Sequence, residues 1–123
     1  MNDTGKLEVD AYRTSSGREP FTDWLASIRD KTTRGRIERR MDRVENGNMG
    51  DYRRLGTNLY ELRLDFGSGY RIYFSIYVSE SDSTTILILC AGDKSSQTRD
   101  IERAKEYSLD VKQRYEGYND GTI

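Results

Sequence analysis

The side chains that can carry chemistry in this sequence are arginines, lysines, tyrosines and carboxylates. The 123 residues contain no histidine and a single cysteine, Cys90. The lack of histidine excludes histidine-based triads, histidine acid–base pairs and histidine-ligated zinc, and one cysteine excludes disulfide frameworks and cysteine-cluster metal sites. Aspartate and glutamate occur at ordinary density and do not converge in a ligand motif. We therefore expect neither a metal ion nor a cofactor.

A predicted β-hairpin concentrates these side chains. Apolar and polar residues alternate over residues 60–66 and again over 70–78, on either side of the glycine-containing loop 67–69. Strict alternation predicts strands, and a three-residue loop joins them as a hairpin. With Phe66 and Tyr70 flanking the loop, Leu64 pairs with Ile72 and Leu62 with Phe74, which gives one apolar face. Tyr70 belongs to this core face.

The opposite face of the hairpin is polar, and it carries the candidate site. Its members are Glu61, Arg63, Asp65, Arg71 and Tyr73. The guanidinium group of Arg71 suits phosphate oxygens, with a cross-strand ion pair to Asp65 as the alternative. Arg63 is a candidate for phosphate contact, or for stacking on Tyr73. Tyr73 is a candidate for base stacking or proton relay, and Glu61 is either a general base or a counter-ion to the arginines.

Lys94 follows a continuously apolar segment, residues 84–91, which predicts a central strand covered on both faces. A lysine at the end of this strand is a candidate for substrate binding or acid catalysis. The alternative is an exposed salt bridge to Asp93 or Asp100.

Basic residues are also dense over residues 29–43, where Arg36, Arg40 and Arg43 fall at helical spacing. They are candidates for contact with RNA or DNA phosphates, or form a solvated helix face paired with neighbouring acidic residues. Residues 11–75 hold 13 basic against 9 acidic side chains, a net charge of +4, although the whole chain has a net charge of −1. A local phosphate-binding surface is therefore compatible with an acidic overall balance.

Further elements must position these residues. Alternation over residues 6–13 predicts a first strand, and Pro20 begins a helix over 20–30. Thr32 or Thr33 is expected to cap a second helix with an apolar stripe, which ends at Asn46-Gly47. Residues 47–56 are predicted to be a loop. A third helix is expected from Ser96 onward, and residues 117–123 are expected to be frayed.

The resulting order is β-α-α-β-β-β-α in one domain spanning residues 1–123. This order predicts an α+β fold with a mainly antiparallel sheet, an N-terminal helical hairpin on one face and the other face available for function. The longest apolar run covers only residues 86–91, and the N-terminus lacks the apolar region of a signal peptide. We expect a cytoplasmic protein with no membrane partner.

An ordered set of motifs across the chain carries a family resemblance. It comprises Phe21-Thr-Asp-Trp-Leu, Arg36-Ile37, Arg39, Asp42-Arg43, Gly47-Asn48, Gly50-Asp51, Gly56, Glu61-Leu62-Arg63, Gly69-Tyr70-Arg71-Ile72-Tyr73-Phe74, Gly92-Asp93-Lys94, Gln97, Asp100-Ile101 and Ala104. Over roughly residues 7–107 the chain resembles the RelE/ParE superfamily, in particular the HigB-like addiction-module killer proteins of type II toxin–antitoxin systems. The resemblance implies a small twisted sheet with a core over about residues 6–107 and a C-terminal extension over 108–123.

The resemblance also implies a function and roles for individual residues. Members either cleave mRNA on the ribosome or, like ParE, inhibit DNA gyrase without hydrolytic chemistry, and a cognate antitoxin, often a helix-turn-helix protein, neutralises them. Arg71 corresponds to the family's catalytic arginine and would stabilise the transition state. Arg63 and Lys94 correspond to basic residues of the RNA-cleaving relatives. A toxin that has lost activity but still binds its antitoxin is a third possibility.

Overall fold

The computed structural model describes residues 7–79, 81–115 and 119–121. The strands are β1 (Glu8–Ala11), β2 (Tyr52–Gly56), β3 (Leu59–Arg63), β4 (Arg71–Val78), β5 (Thr84–Gly92) and β6 (Asn119–Asp120). The helices are α1 (Pro20–Ser27), α2 (Lys31–Glu45) and α3 (Gln97–Arg114), and a single 3₁₀ turn (Lys94–Ser96) joins β5 to α3. None of the helices in these described ranges is long and apolar enough to cross a membrane.

The strands form one sheet in the order β1-β5-β4-β3-β2. The edge strand β1 runs parallel to β5, whereas the pairs β5–β4, β4–β3 and β3–β2 are antiparallel. The short β6 pairs with the end of β4, beyond the last residues that β3 reaches. The prediction of an α+β protein with a mainly antiparallel sheet is confirmed.

Helices cover both faces of the sheet. Ile72, Phe74 and Ile76 of β4 share a core with residues of α1 and α2. Tyr73 and Tyr77 point to the other face, where they pack against α3. The prediction that this second face stays open is therefore wrong over most of its area. The tyrosines that suggested a polar face are buried instead, because the large apolar surface of a tyrosine ring favours burial even though its hydroxyl is polar.

The β3–β4 register differs from the predicted one by two residues. Leu62 pairs with Ile72 and Arg63 with Arg71, and the last hydrogen bond joins the Leu64 amide to the Tyr70 carbonyl at 3.0 Å. The loop therefore spans residues 65–69, five residues rather than three, and both of its glycines have positive φ. A two-residue shift keeps every side chain on its predicted face. Only the cross-strand partners change.

The two N-terminal helices follow the predicted apolar stripes, with different boundaries. The first ends at Ser27, three residues before the predicted end. The cap of α2 is Asp30 rather than Thr32 or Thr33, since its carboxylate accepts a hydrogen bond from the Thr32 amide at 3.2 Å. The predicted end at Asn46-Gly47 is confirmed, with Asn46 as the C-cap and Gly47 at a φ of 89°.

Two strands were not predicted. The edge strand β2 occupies part of the predicted loop 47–56, and its mostly exposed side chains show no regular alternation. Helix α3 continues through Tyr107 to Arg114, with Ser108 and Val111 buried. Within the stretch expected to be frayed, residues 119–121 instead hydrogen-bond to β4, and the Gly121 amide lies 2.9 Å from the Ile76 carbonyl. Residues 117, 118, 122 and 123 lie outside the described residues.

Candidate functional site

A cleft of about 530 Å³ lies where β3 ends and β4 begins. Arg63 pairs with Arg71 there, and Arg71 pairs in turn with Gly92 of β5. The cleft is lined by Asp51, Arg63, Asp65, Gly67, Ser68, Gly69, Arg71 and Lys94. The structure thus brings together three predicted site residues, Arg63, Arg71 and Lys94.

Arg71 is the most buried cation of the cleft, with only 6% of its surface exposed. Its Nη1 donates to the carbonyl oxygens of Gly69 and Tyr70, at 3.2 and 3.0 Å. Its Nε is buried without a hydrogen-bond partner. Among the described residues no carboxylate oxygen lies within 4.0 Å of the guanidinium, so the predicted ion pair with Asp65 is not formed. Such a buried charge is costly unless an anion binds to it.

Arg63 and Lys94 are exposed and flank Arg71. Within the described parts of the chain neither forms an ion pair, and Arg63 lies over no aromatic ring. The alkyl chain of Lys94 packs against Gly69, where an added Cβ would lie 2.6 Å from the Lys94 Cδ. The predicted alternatives, stacking for Arg63 and a salt bridge for Lys94, are therefore not observed.

The 3₁₀ turn that carries Lys94 is held by hydrogen bonds on both sides. Asp93 caps the turn by accepting from the Ser95 amide at 2.9 Å, and the Ser96 hydroxyl completes a capping box. The Ser68 hydroxyl donates to Asp93 at 3.1 Å, which connects the turn to the β3–β4 loop. These bonds hold the pKa of the Asp93 carboxyl below its usual value, and the hydrogen bond from the Ser95 side chain has the largest effect. The capping bonds therefore fix Lys94 beside the arginines.

Glu61 and Tyr73 are not brought to the cleft. Glu61 is fully buried, and its carboxylate accepts from Arg53 Nε at 3.0 Å and from Gln97 Nε2 at 2.7 Å. It is a counter-ion, but to Arg53 rather than to Arg63 or Arg71. Tyr73 is also fully buried, in the core beneath α3. Burial, followed by the charges of Glu61 and Asp100, raises the pKa of the Tyr73 phenol.

A second cleft of about 340 Å³ adjoins the first and shares Asp51, Arg63 and Asp65 with it. The α2 residues that line it are Arg36, Arg39, Arg40 and Arg43. The Arg36 guanidinium carbon lies 4.0 Å from the centre of the Phe66 ring, a cation–π contact that orients it. All three predicted nucleic-acid-binding arginines are thus beside the candidate site.

Arg40 differs from its neighbours because it is only 8% exposed. Its Nη2 donates to the Met49 carbonyl, and its Nη1 is buried without a partner. Burial is the main cause that lowers the pKa of this guanidinium, followed by repulsion from Arg43, while Asp51 acts in the opposite direction. Arg40 therefore anchors the loop after α2 as well as lining the cleft.

Four charged or aromatic residues of the two clefts were not predicted as site residues. Arg39 belongs to the basic segment but falls off the spacing of its neighbours, and Asp51 lies in the predicted loop. Asp65 was considered only as an ion-pair partner, and Phe66 only as a core residue at the end of its strand. Asp51 belongs to the motifs of the family resemblance, but no role was assigned to it. For Phe66 the sequence offered no signal, because its place in the site depends on tertiary packing.

Comparison with known proteins gives one informative match. No family model matches the chain, and no solved structure is significantly similar to it. An uncharacterized protein of Haemophilus influenzae is 35% identical over 85 residues, which are 69% of this chain and 82% of that protein. The chain belongs to the family of this Haemophilus protein. Since that relative is itself uncharacterized, the chemistry of this family has to be inferred from the site.

The two clefts together offer a cationic surface suited to an extended anion. The described residues contain no group of three or more cysteine, aspartate or glutamate side chains that could hold a metal ion. Guanidinium groups bind phosphate oxygens in a planar, bidentate fashion, and an aromatic ring beside them can stack on a base. The arrangement can therefore bind a phosphodiester and stabilise negative charge that develops on it.

Proposed function

We propose that the protein is the toxin of a type II toxin–antitoxin module of the RelE/ParE superfamily, and that it inhibits translation by ribosome-dependent cleavage of mRNA. The observation that carries the proposal is Arg71. Its guanidinium is almost completely buried, one N–H has no partner, and no carboxylate of the described chain neutralises it. A phosphate group would satisfy both the charge and the free N–H.

Cleavage of RNA by its own 2′-hydroxyl requires stabilisation of the negative charge on the pentacoordinate phosphorus and a proton for the 5′-oxygen that leaves. In the proposed reaction Arg71 binds the oxygens of the scissile phosphate, and Arg63 supports it from the paired position on β3. Lys94 lies in the same cleft and donates the proton to the 5′-oxygen. The products are a 2′,3′-cyclic phosphate and a 5′-hydroxyl end.

The element order lends further support to the family assignment. Two helices lie between the first and second strands and pack on one face of a sheet whose inner strands are antiparallel, as the resemblance implies. In this proposal the protein works in the cytoplasm, and a cognate antitoxin, a helix-turn-helix protein, holds it inactive. The second cleft, with its α2 arginines, would bind phosphates of the mRNA or of the ribosome.

The deciding experiment adds the purified protein to a reconstituted translation reaction and maps mRNA ends by primer extension. We expect cuts only in translated message, and a loss of about 10²- to 10³-fold in the cleavage rate for Arg71→Ala. Arg18→Ala is the matched control, because Arg18 is exposed and its ion pair among the described residues is with Asp23 at 3.2 Å. Intact message together with linearised plasmid would indicate gyrase inhibition instead, and undiminished cleavage by the Arg71 variant would disprove its role.

A further inference from the structure

The cleavage proposed above lacks one component, a group that accepts the proton of the attacking 2′-hydroxyl. The sequence suggested Glu61 or Tyr73. Both are fully buried in the sheet layer beneath α3, and Arg53 and Gln97 already bind the Glu61 carboxylate. Neither of them lines the cleft that holds Arg71. The proton acceptor must therefore be a different group.

The cleft offers few alternatives. Of its lining residues, Arg63, Arg71 and Lys94 are cations, and the Ser68 hydroxyl donates its hydrogen to Asp93. Two carboxylates are left, Asp51 and Asp65. The choice between them depends on which one is already engaged by the protein.

Asp51 lies on the α2 side of the site, because it follows Gly50, whose Cα faces the buried guanidinium of Arg40. Its negative charge acts on the buried guanidinium of Arg40, where it opposes the effect of burial. Its backbone carbonyl accepts a hydrogen bond from the Arg63 amide at 2.9 Å, so its main chain continues the β2–β3 ladder. Asp51 therefore partly neutralises the buried arginine of the second cleft.

Asp65 has no such partner. It is exposed, and within the described residues its side chain forms no hydrogen bond and no ion pair shorter than 4.0 Å. It follows Leu64, whose amide makes the last β3–β4 hydrogen bond, and it lines both clefts together with Arg63. The five-residue loop thus leaves a free carboxylate beside Arg63 and Arg71, where a strict hairpin would have paired Asp65 with Arg71.

We propose that Asp65 is the general base of the cleavage reaction. Its carboxylate removes the proton from the 2′-hydroxyl, and the 2′-oxygen forms a bond to phosphorus while the bond from phosphorus to the 5′-oxygen breaks. Lys94 supplies one proton to that oxygen, so the reaction consumes no water, metal or oxidant. Exchange with solvent then returns Asp65 and Lys94 to their starting protonation states. This assignment rests on the proposed ribonuclease function.

The test compares Asp65→Asn, Asp51→Asn and Asp23→Asn in single-turnover cleavage of mRNA on programmed ribosomes. We expect Asp65→Asn to lower the maximal rate by about 10²- to 10⁴-fold and to leave the half-saturating concentration within about threefold. It should also abolish the acidic limb of the pH–rate profile. Asp23, an exposed residue of α1, is the control that should not change the rate. A larger loss in Asp51→Asn than in Asp65→Asn would overturn the assignment.

A substrate with sulfur in place of the 5′-bridging oxygen separates the two proton transfers, because a thiolate leaves without an acid. We expect this substrate to restore cleavage by Lys94→Met but not by Asp65→Asn. Restoration of the Asp65 variant would overturn its role as base while leaving the ribonuclease function intact. If the wild-type protein cleaves neither substrate on or off the ribosome, the ribonuclease function itself is wrong, and the base assignment is wrong with it.

Discussion

At the scale of single residues, the environment of Arg71 is the most informative feature of the molecule. A guanidinium group that loses most of its hydration needs charge neutralisation or a full set of acceptors. Arg71 has two carbonyl acceptors, both within the chain turn that precedes it, and an unpaired Nε. The protein thus keeps a partly satisfied cation in place before any ligand arrives, and such a group favours a bound oxyanion.

This environment predicts a specific anion effect on stability. Sulfate should raise the melting temperature of the wild-type protein more than that of Arg71→Ala, because only the wild type holds the buried cation that sulfate can neutralise. The expected difference is about 4 °C for each 1 kcal/mol of sulfate binding free energy. Differential scanning fluorimetry in sodium sulfate against sodium chloride of equal ionic strength measures it. General salting-out by sulfate acts on both proteins equally, so an equal rise in the two would contradict the prediction.

Cys90 allows a second prediction at this scale. Burial, with the nearby Asp100 carboxylate as the second cause, raises the pKa of its thiol from 9.0 to about 12. Since only the thiolate is nucleophilic, the reactive fraction at pH 8.5 falls by roughly a thousandfold. We expect iodoacetamide to leave Cys90 unmodified in the native protein and to modify it fully in guanidinium chloride, as measured by mass spectrometry. Rapid modification of the native protein would mean that α3 opens readily.

At the scale of secondary-structure elements, the 3₁₀ turn after β5 determines where Lys94 lies. Asp93→Ala removes the cap and should lower the free energy of unfolding by about 1 kcal/mol at pH 7. The pKa of the Asp93 carboxyl is lower in the folded protein than in the unfolded chain, where it is about 4. The cap therefore contributes its full stabilisation above that unfolded pKa, and this contribution is lost as the pH falls through the folded pKa.

Urea denaturation of wild type and Asp93→Ala at pH 7 and at pH 2.5 measures this contribution. We expect the difference between the two proteins to shrink on acidification. Asp93→Asn is the matched control, because asparagine caps without a titrating group and its stability relative to Asp93→Ala should not depend on pH. A difference that stays constant for the wild type as well would mean that the ionised Asp93 side chain caps the turn no better than the protonated one.

The elements also show what periodicity can and cannot predict. The apolar stripes of α1 and α2 and the alternation of β3 and β4 were enough to predict these four elements, although β3 and β4 are in fact buried on both faces. The predicted β3–β4 register was wrong by two residues, because the loop length depends on the positive φ angles of Gly67 and Gly69 rather than on alternation. Strand β2 was missed because an edge strand with exposed arginines carries no burial pattern.

At the scale of the whole molecule, the site is assembled from four separate segments, namely α2, residues 50–51, residues 63–71 and the turn that carries Lys94. Arg63 and Arg71 were predictable as neighbours because one hairpin holds both. Their proximity to the α2 arginines and to Lys94 depends on how the helix, the hairpin and the end of β5 pack, and short-range sequence patterns do not encode that packing. The charge pattern across the sequence indicated a basic middle region, while the fold determines which of its arginines share a surface.

That shared surface concentrates positive charge in a protein whose formal net charge is −1. Arg39, Arg43, Arg63 and Lys94 are exposed around the two clefts, without an ion pair among the described residues. Binding of a single-stranded nucleic acid here should release counterions even though the whole protein is slightly acidic. The affinity should therefore depend on local charges rather than on net charge.

This dependence can be measured with a 2′-O-methyl oligonucleotide, which binds but cannot be cleaved through its 2′-oxygen. We expect Arg43→Gln to weaken binding and to reduce the slope of log affinity against log salt concentration by about 0.7, the value for one phosphate contact on a single strand. Lys112→Gln makes the same change in net charge on α3, about 22 Å along the helix from Gln97, and should leave the slope unchanged. An Arg43→Gln slope equal to that of the wild type would show that Arg43 contacts no phosphate. Equal reductions in both variants would mean that the overall field of the protein, rather than the paired clefts, attracts the nucleic acid.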